Sequence, residues 1–253
     1  MSNFRVSACT AEHIGDRSEQ QDRVAILTSP RHPSGLLAVV SDGMGGRTGG
    51  RMASDQVIAT ANQLFQDMAE ADAGSLHALL KTIAEEAHTV IRLSALSSEK
   101  EPHATFVALI VRRDYAIWAH AGDSRLYHFR GSRLVQRTED QTYAWYLRAH
   151  GRTEQAAEAD IKFKHMLVSA LGLNRPPTIA ISEASNLQPG DAFLLCSDGL
   201  WAHISDTELG ETLARTNARE ASGELVQRAR ERARGGGDNL SLAIVKLEAP
   251  ASS

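Results

Sequence analysis

Three aspartates, Asp42, Asp198 and Asp238, share one local context. VVSDGMGG, LLCSDGLW and GGGDNLSL each put a carboxylate beside Gly or Asn at the end of an apolar run. Such carboxylates, helped by a backbone carbonyl, are the oxygen donors preferred by hard divalent cations such as Mg²⁺ and Mn²⁺, which keep several waters. Glycine at position 43 leaves the carbonyl there free to turn toward a cation, because no side chain obstructs the approach. One Asp-Gly pair makes an ordinary turn more often than a site. Three of them at the ends of buried strands form a pattern that turns alone do not require.

Other chemistries find less support. His120, His128, His165 and His203 show no HxxxH or HExxH spacing, so packed or surface roles are expected rather than zinc ligation. Neither Cys9 nor Cys196 is followed by Arg six residues later, as a thiolate phosphatase loop would need. Cys196 lies in an apolar run, where burial favours the inert thiol. The glycine-rich stretch 43–50 has no Walker lysine and does not fit GxGxxG.

The elements that must position the aspartates can be read from periodicity. Gly35 to Ser41, GLLAVVS, is a short apolar run ending at Asp42 and reads as a buried strand. Met52, Val57, Ala61, Leu64, Phe65 and Met68 recur at helical spacing. Leu76, Leu79, Leu80, Ile83, Ala87, Val90 and Ile91 do so again after a cap expected at Ser75. ATFVALIV, YAIWAHA, SRLYHF and RLVQR follow as strands with turn-forming breaks, and AFLLCS and NLSLAIVKL return as apolar strands near the end. Ser205 to Glu208 and Asn217 to Glu220 each place a capping residue three before a Glu, marking two helix starts. Clustered strands and paired helices without strict alternation predict α+β layers with a largely antiparallel sheet.

The 253 residues, 42% hydrophobic and 23% charged, carry no repeat or long linker, so one domain spanning 1–253 is expected. A formal charge of −4, with no basic stripe, argues against nucleic acid as partner and against a nuclease-like two-metal enzyme. No apolar run approaches the roughly 18 residues of a membrane helix, and no secretory signal is visible at the start. Two cysteines far apart suit a reducing compartment, so the expectation is a cytoplasmic monomer without a membrane partner.

Six ordered blocks carry a resemblance: RSEQQD (Arg17 to Asp22), SDGMGGRTGGRMAS (Ser41 to Ser54), GDSRLY (Gly122 to Tyr127), ALG (Ala170 to Gly172), PGDAFLLCSDGL (Pro189 to Leu200) and DNLS (Asp238 to Ser241). Together they resemble the metal-dependent protein phosphatases of the PPM class, the protein phosphatase 2C family, over nearly the whole chain. The resemblance implies a four-layer αββα sandwich, two antiparallel sheets flanked by helix pairs, with a dinuclear metal site at one end. It implies two Mn²⁺ or Mg²⁺ ions, Asp42 bridging them, the Gly43 carbonyl on one, and Asp198 and Asp238 on the other. A metal-bridging hydroxide would then attack phosphoserine or phosphothreonine directly. By the same resemblance Asp22 orients metal-bound water, Asn239 steadies Asp238, Arg17 contacts substrate phosphate, and Asp123 with Asp198 holds a weaker third cation. For Asp22 a surface salt bridge, and for Asp123 a turn, remain the structural alternatives; Ser124 and Arg125 are expected to be parts of that turn. Partners would be phosphorylated proteins, including a Ser/Thr kinase or its targets.

The chain departs from that family's pattern in places. Gln21 stands where many relatives have Glu, which removes a charge near the metals but leaves an oxygen acceptor. Met44 replaces a His of eukaryotic relatives and cannot protonate a leaving group; bacterial members commonly show Met there. Ala202 replaces an acid that often assists the third cation, Gln141 replaces a usual His, and His103-Ala104-Thr105 replaces Gly-Thr-Thr. The segment from Tyr143 to Asn174 resembles the family's flap, whose Arg148, Arg152, Lys162, Lys164 and His165 either meet an acidic substrate surface or form a solvated face. A catalytically silent module that binds a phosphoprotein or kinase is the alternative function, and the intact Asp42, Asp198 and Asp238 argue against it.

Overall fold

The computed structural model describes residues 4–46, 48–68, 72–96, 101–112 and 114–250. Arg47, inside the block from Ser41 to Ser54, lies outside the described residues. Two five-stranded antiparallel sheets face each other. The first runs β1 (Arg5–His13), β12 (Leu240–Glu248), β11 (Asp191–Cys196), β8 (Arg125–Arg130), β9 (Arg133–Arg137). The second runs β10 (Ala180–Ser185), β7 (Tyr115–Ala121), β6 (Phe106–Arg112), β3 (His32–Ser41), β2 (Arg23–Ser29). A two-stranded ladder, β4 (Gly43–Met44) with β5 (His103–Ala104), caps one end.

The apolar runs are continuous because the central strands are buried on both faces. Along β3, Leu36, Ala38 and Val40 point between the sheets, whereas Leu37 and Val39 meet the helices α1 (Gly49–Asp67) and α2 (Ala73–Leu96). Along β11, Phe193 and Leu195 fill the space between sheets. Ala192, Leu194 and Cys196 meet α5 (Asp198–Trp201), α6 (Asp206–Arg215) and α7 (Ala218–Ala233) on the other side. Three apolar layers therefore separate four layers of structure, the αββα sandwich expected. The short helices α3 (Tyr143–Ala149) and α4 (Thr153–Lys162) of the flap have a small core of their own from Ala144, Leu147, Ala156 and Ala159.

The caps behave largely as read. Ser205 and Glu208 form a reciprocal capping box, and the Asn217 side chain accepts from the Glu220 N–H. At α2 the expectation is corrected: the Asp72 carboxylate, not Ser75, accepts the Ser75 N–H at 2.7 Å. A carboxylate at the start of the helix also meets the positive end of its dipole. Met52 and Val90, expected on buried faces, are exposed, because each sits at the margin of its helix's apolar stripe. Strands β1, β2 and β10 are not among those read from periodicity. All three are sheet edges; β1 and β10 carry no continuous apolar run, whereas β2 does contain Val24 to Leu27, which was not singled out.

Candidate active site

Strand register, not sequence proximity, assembles the site. Ser41, just before Asp42, pairs with Arg23, just after Asp22. Val40 pairs with Val107, and the neighbouring Phe106 pairs with Ala121, which leads through Gly122 to Asp123. That turn crosses to the other sheet, where Arg125 pairs with Cys196, and Cys196 pairs with Leu242. Asp198 follows β11 and Asp238 precedes β12, so both sit at this same end. The β1–β2 loop, with Arg17, reaches it because His13 pairs with Leu240.

The result is a cluster of carboxylates that feel one another's charge. Burial, then Asp22, Asp198, Asp123 and Asp238 in turn, push the Asp42 carboxyl well above its ordinary range. Asp22 is pushed up to about 7, chiefly by burial and further by the charges of Asp198 and Asp238, against the lowering effect of hydrogen bonds from Ser197 and Asp42. Asp198 is raised by burial and by Asp238, and Asp123 is raised to about 7 by burial and by Asp198. Like charges desolvated together disfavour ionisation, and a bound cation removes that penalty. One Asp22 oxygen, Oδ1, is moreover buried with no hydrogen-bond donor among the described residues. An oxygen-rich donor set with an orphaned carboxylate oxygen beside it fits a hard divalent cation and its waters.

The backbone around these acids is held by hydroxyls. Thr105 Oγ1 accepts the Asp42 N–H at 2.8 Å and bonds Ser124 Oγ at 2.6 Å. The Thr105 N–H donates to the Asp42 carbonyl, and Ser41 Oγ donates to the Thr105 carbonyl. Thr105 and Ser124 are thus anchors of Asp42. The sequence does not disclose this role for Thr105, because its partner lies 63 positions away. Ser197 Oγ donates to Asp22 Oδ2 at 2.6 Å while accepting the Ser241 N–H at 2.9 Å, tying three loops together. Ser197 was not singled out either; its place just before Asp198 was the available signal.

Asn239 contacts Asp238 as expected, through its backbone, and its side chain does more. Its backbone N–H donates to Asp238 Oδ1, while its side chain binds the Ile14 and Glu19 carbonyls and the Gln21 N–H, stapling the loop that carries Arg17. Gln21 turns its amide to the Gly46 carbonyl. Gly43 is required by close packing: a Cβ there would lie 2.1 Å from the Gly50 carbonyl oxygen at the start of α1.

Arg17 Nη2 lies 2.6 Å from Asp238 Oδ2, with its guanidinium largely exposed at the rim. The Trp201 indole donates to the Asp123 carbonyl at 3.0 Å and is covered by the Arg125 guanidinium, 3.6 Å from the ring centre, which is itself held by Asp140. Gln141 Oε1 accepts the Gly122 N–H, so it fixes the turn bearing Asp123. His165 is exposed on the flap, one of the surface or packed roles expected, and its Nδ1 lies 3.9 Å from Asp198 Oδ2.

Comparison with known proteins agrees with this geometry. The Protein phosphatase 2C family model matches residues 9–233. The serine/threonine protein phosphatase PstP of Mycobacterium tuberculosis is 32% identical over 218 residues, 83% of this chain but 40% of that protein. The chain therefore spans less than half the length of that relative. The structure of PppA, described as a key regulatory component of T6SS in Pseudomonas aeruginosa, is 27% identical and superposes with a TM-score of 0.80 over 98% of this chain and 100% of that one. The PstP catalytic domain in complex with 2 manganese ions is 28% identical, with a TM-score of 0.72 over 96% and 98% of the two chains. With a match that runs from β1 through α7 and takes in most of the converging acids, the chain belongs to the protein phosphatase 2C family.

Proposed function

We propose that this chain is a protein-serine/threonine phosphatase working as one catalytic domain with two Mn²⁺ or Mg²⁺ ions held by Asp42, the Gly43 carbonyl, Asp198 and Asp238. The observation that carries the reading is the convergence of Asp22, Asp42, Asp123, Asp198 and Asp238, four of them with raised pKa values, at one end of the sandwich. The manganese pair in the PstP structure supports the cation count. Bound there, the cations supply positive charge to the phosphoryl oxygens and acidify water for in-line attack.

The protein's own groups do the positioning. Asp22, with Oδ2 fixed by Ser197, presents Oδ1 as acceptor for a water proton. Arg17 offers a guanidinium fork to two phosphate oxygens, and its exposure leaves it free to swing outward from Asp238. Thr105, Ser124 and Asn239 hold the loops so that the ligating oxygens need little rearrangement. The substrates we assign are phosphoserine and phosphothreonine proteins, among them a Ser/Thr kinase or its targets. We place the enzyme in the cytoplasm, a reading supported by two free thiols and by the lack, among the described residues, of a helix long and apolar enough to cross a membrane.

The test is hydrolysis of p-nitrophenyl phosphate and a phosphothreonine peptide. Turnover is expected to need added Mn²⁺ or Mg²⁺ and to vanish in Asp42→Asn and Asp198→Asn with unchanged circular dichroism. Full turnover in excess chelator would refute the reading.

A further inference from the structure

A buried histidine outside the carboxylate cluster is connected to it through backbone. His88, on α2 and 7% exposed, accepts the Gly172 N–H on Nδ1 at 3.1 Å. An imidazole that accepts on Nδ1 is neutral, with its proton on Nε2. Burial first, and then the neighbouring Arg92, lower its pKa and so favour that form. Gly172 is wedged in place: its φ is +90°, and a Cβ there would lie 2.4 Å from the Pro102 carbonyl oxygen and 2.6 Å from Ile91 Cγ2.

From Gly172 the connection runs to the acids. Leu171 and Ala104 exchange two backbone bonds, the Ala104 N–H donating to the Leu171 carbonyl at 3.0 Å and the Leu171 N–H to the Ala104 carbonyl at 2.8 Å. Ala104 stands opposite Gly43 in the β4–β5 ladder. Thr105, next to it, holds Asp42 through both its N–H and its hydroxyl. The two-residue strand β5 thus has Gly43 on one side and Leu171 on the other. So short a ladder has little stability of its own, and a side chain of α2 closes its outer side at Gly172.

We propose that His88 is a positioning residue for the metal site, holding the Leu171–Gly172 segment against β5 and through it fixing the backbone of Asp42 and Gly43. The inference deepens the phosphatase reading and rests on it, because the Asp42 carboxylate and the Gly43 carbonyl are the cation ligands of that reading. A carbonyl ligand cannot swing on a side chain, so it meets a cation only where its backbone is held, and the groups that hold it govern affinity.

Calorimetric titration with Mn²⁺ alone tests this without reference to turnover. His88→Leu, which fills the space but cannot accept, is expected to weaken Mn²⁺ binding about tenfold. His88→Asn, whose amide oxygen can take the place of Nδ1, is expected to restore most of the affinity. Leu76→Ala opens a cavity elsewhere on α2, where Leu76 is 2% exposed, and is expected to lower stability while leaving Mn²⁺ affinity as it was. In the intact chain, saturating Mn²⁺ is expected to slow hydrogen exchange of the Gly172 amide, because a bond that favours cation binding is favoured by the cation in return. That measurement decides the matter should His88→Leu not fold. Unaltered Mn²⁺ affinity in His88→Leu, an equal loss in His88→Asn or Leu76→Ala, or Gly172 exchange indifferent to Mn²⁺ would overturn the inference and leave the phosphatase reading in place. No Mn²⁺ binding by the intact chain would overturn both.

Discussion

Asp22→Asn isolates the strain stored in the carboxylate cluster. Asp22 is 1% exposed, and its carboxyl is raised from 3.8 to about 7, first by burial and then by Asp198 and Asp238. A carboxylate raised in the folded state contributes fully to stability below its unfolded value and loses that contribution as pH climbs through the folded value. In chelator, the native protein should accordingly weaken between about pH 4 and pH 8. At about 1.4 kcal/mol per pH unit, the Asp22 share is up to about 4 kcal/mol. Asparagine keeps an acceptor for Ser197 Oγ but carries no charge. Metal-free Asp22→Asn should therefore be more stable than the native chain at pH 8, by up to about 4 kcal/mol, and the gap should close toward pH 4. For a chain of this size that is about 2 to 4 °C of melting temperature per kcal/mol. Urea unfolding in EDTA at pH 5 and pH 8 measures it, and added Mn²⁺ should stabilise the native chain more at pH 8 than at pH 5. Equal stability of the two proteins at pH 8, with parallel pH dependence, would refute the idea that desolvated like charges dominate this end of the molecule.

Thr105→Val removes the acceptor of the Asp42 N–H, so a stability loss of about 1–3 kcal/mol and a fall in Mn²⁺ affinity of about 10–100-fold are expected by denaturation and calorimetry. Gly199→Ala would bring a Cβ within 2.0 Å of the Asn239 carbonyl oxygen. Backbone cannot step aside there, so a loss of about 1–3 kcal/mol should accompany loss of phosphatase activity. Asp191 is completely buried, and although burial opposes ionisation, Arg130 and the Gln188 N–H hold its carboxyl below the ordinary 3.8. Its contribution is thus present above about pH 4 and lost as pH falls further. Asp191→Asn should destabilise the protein by about 2 kcal/mol at pH 7 and progressively less in acid, as followed by thermal unfolding at a series of pH values.

Asp42, Asp198 and Asp238 were legible in the chain because each follows or precedes a run apolar enough to be a strand buried on both faces, where a carboxylate has few uses besides a turn or a cation; Asp22 and Asp123 were expected only from the family resemblance. Central strands such as β3, β6 and β11 announced themselves for the same reason, and the α6 and α7 caps did so through side chains that bond only three residues away. What reaches across the sandwich left no local trace. Edge strands β1 and β10 carry no continuous apolar run. Thr105 beneath Asp42 and Ser197 between Asp22 and Ser241 act through partners 63, 175 and 44 positions distant. His165 lacked any ligand spacing in sequence, and its ring comes within 3.9 Å of Asp198 in a flap tied to Gln141 through the Val168 N–H. Residue type and local pattern thus determined which groups have the right chemistry. Strand register and loop closure decided which of them meet, because contacts between distant segments are set by packing rather than by neighbours along the chain.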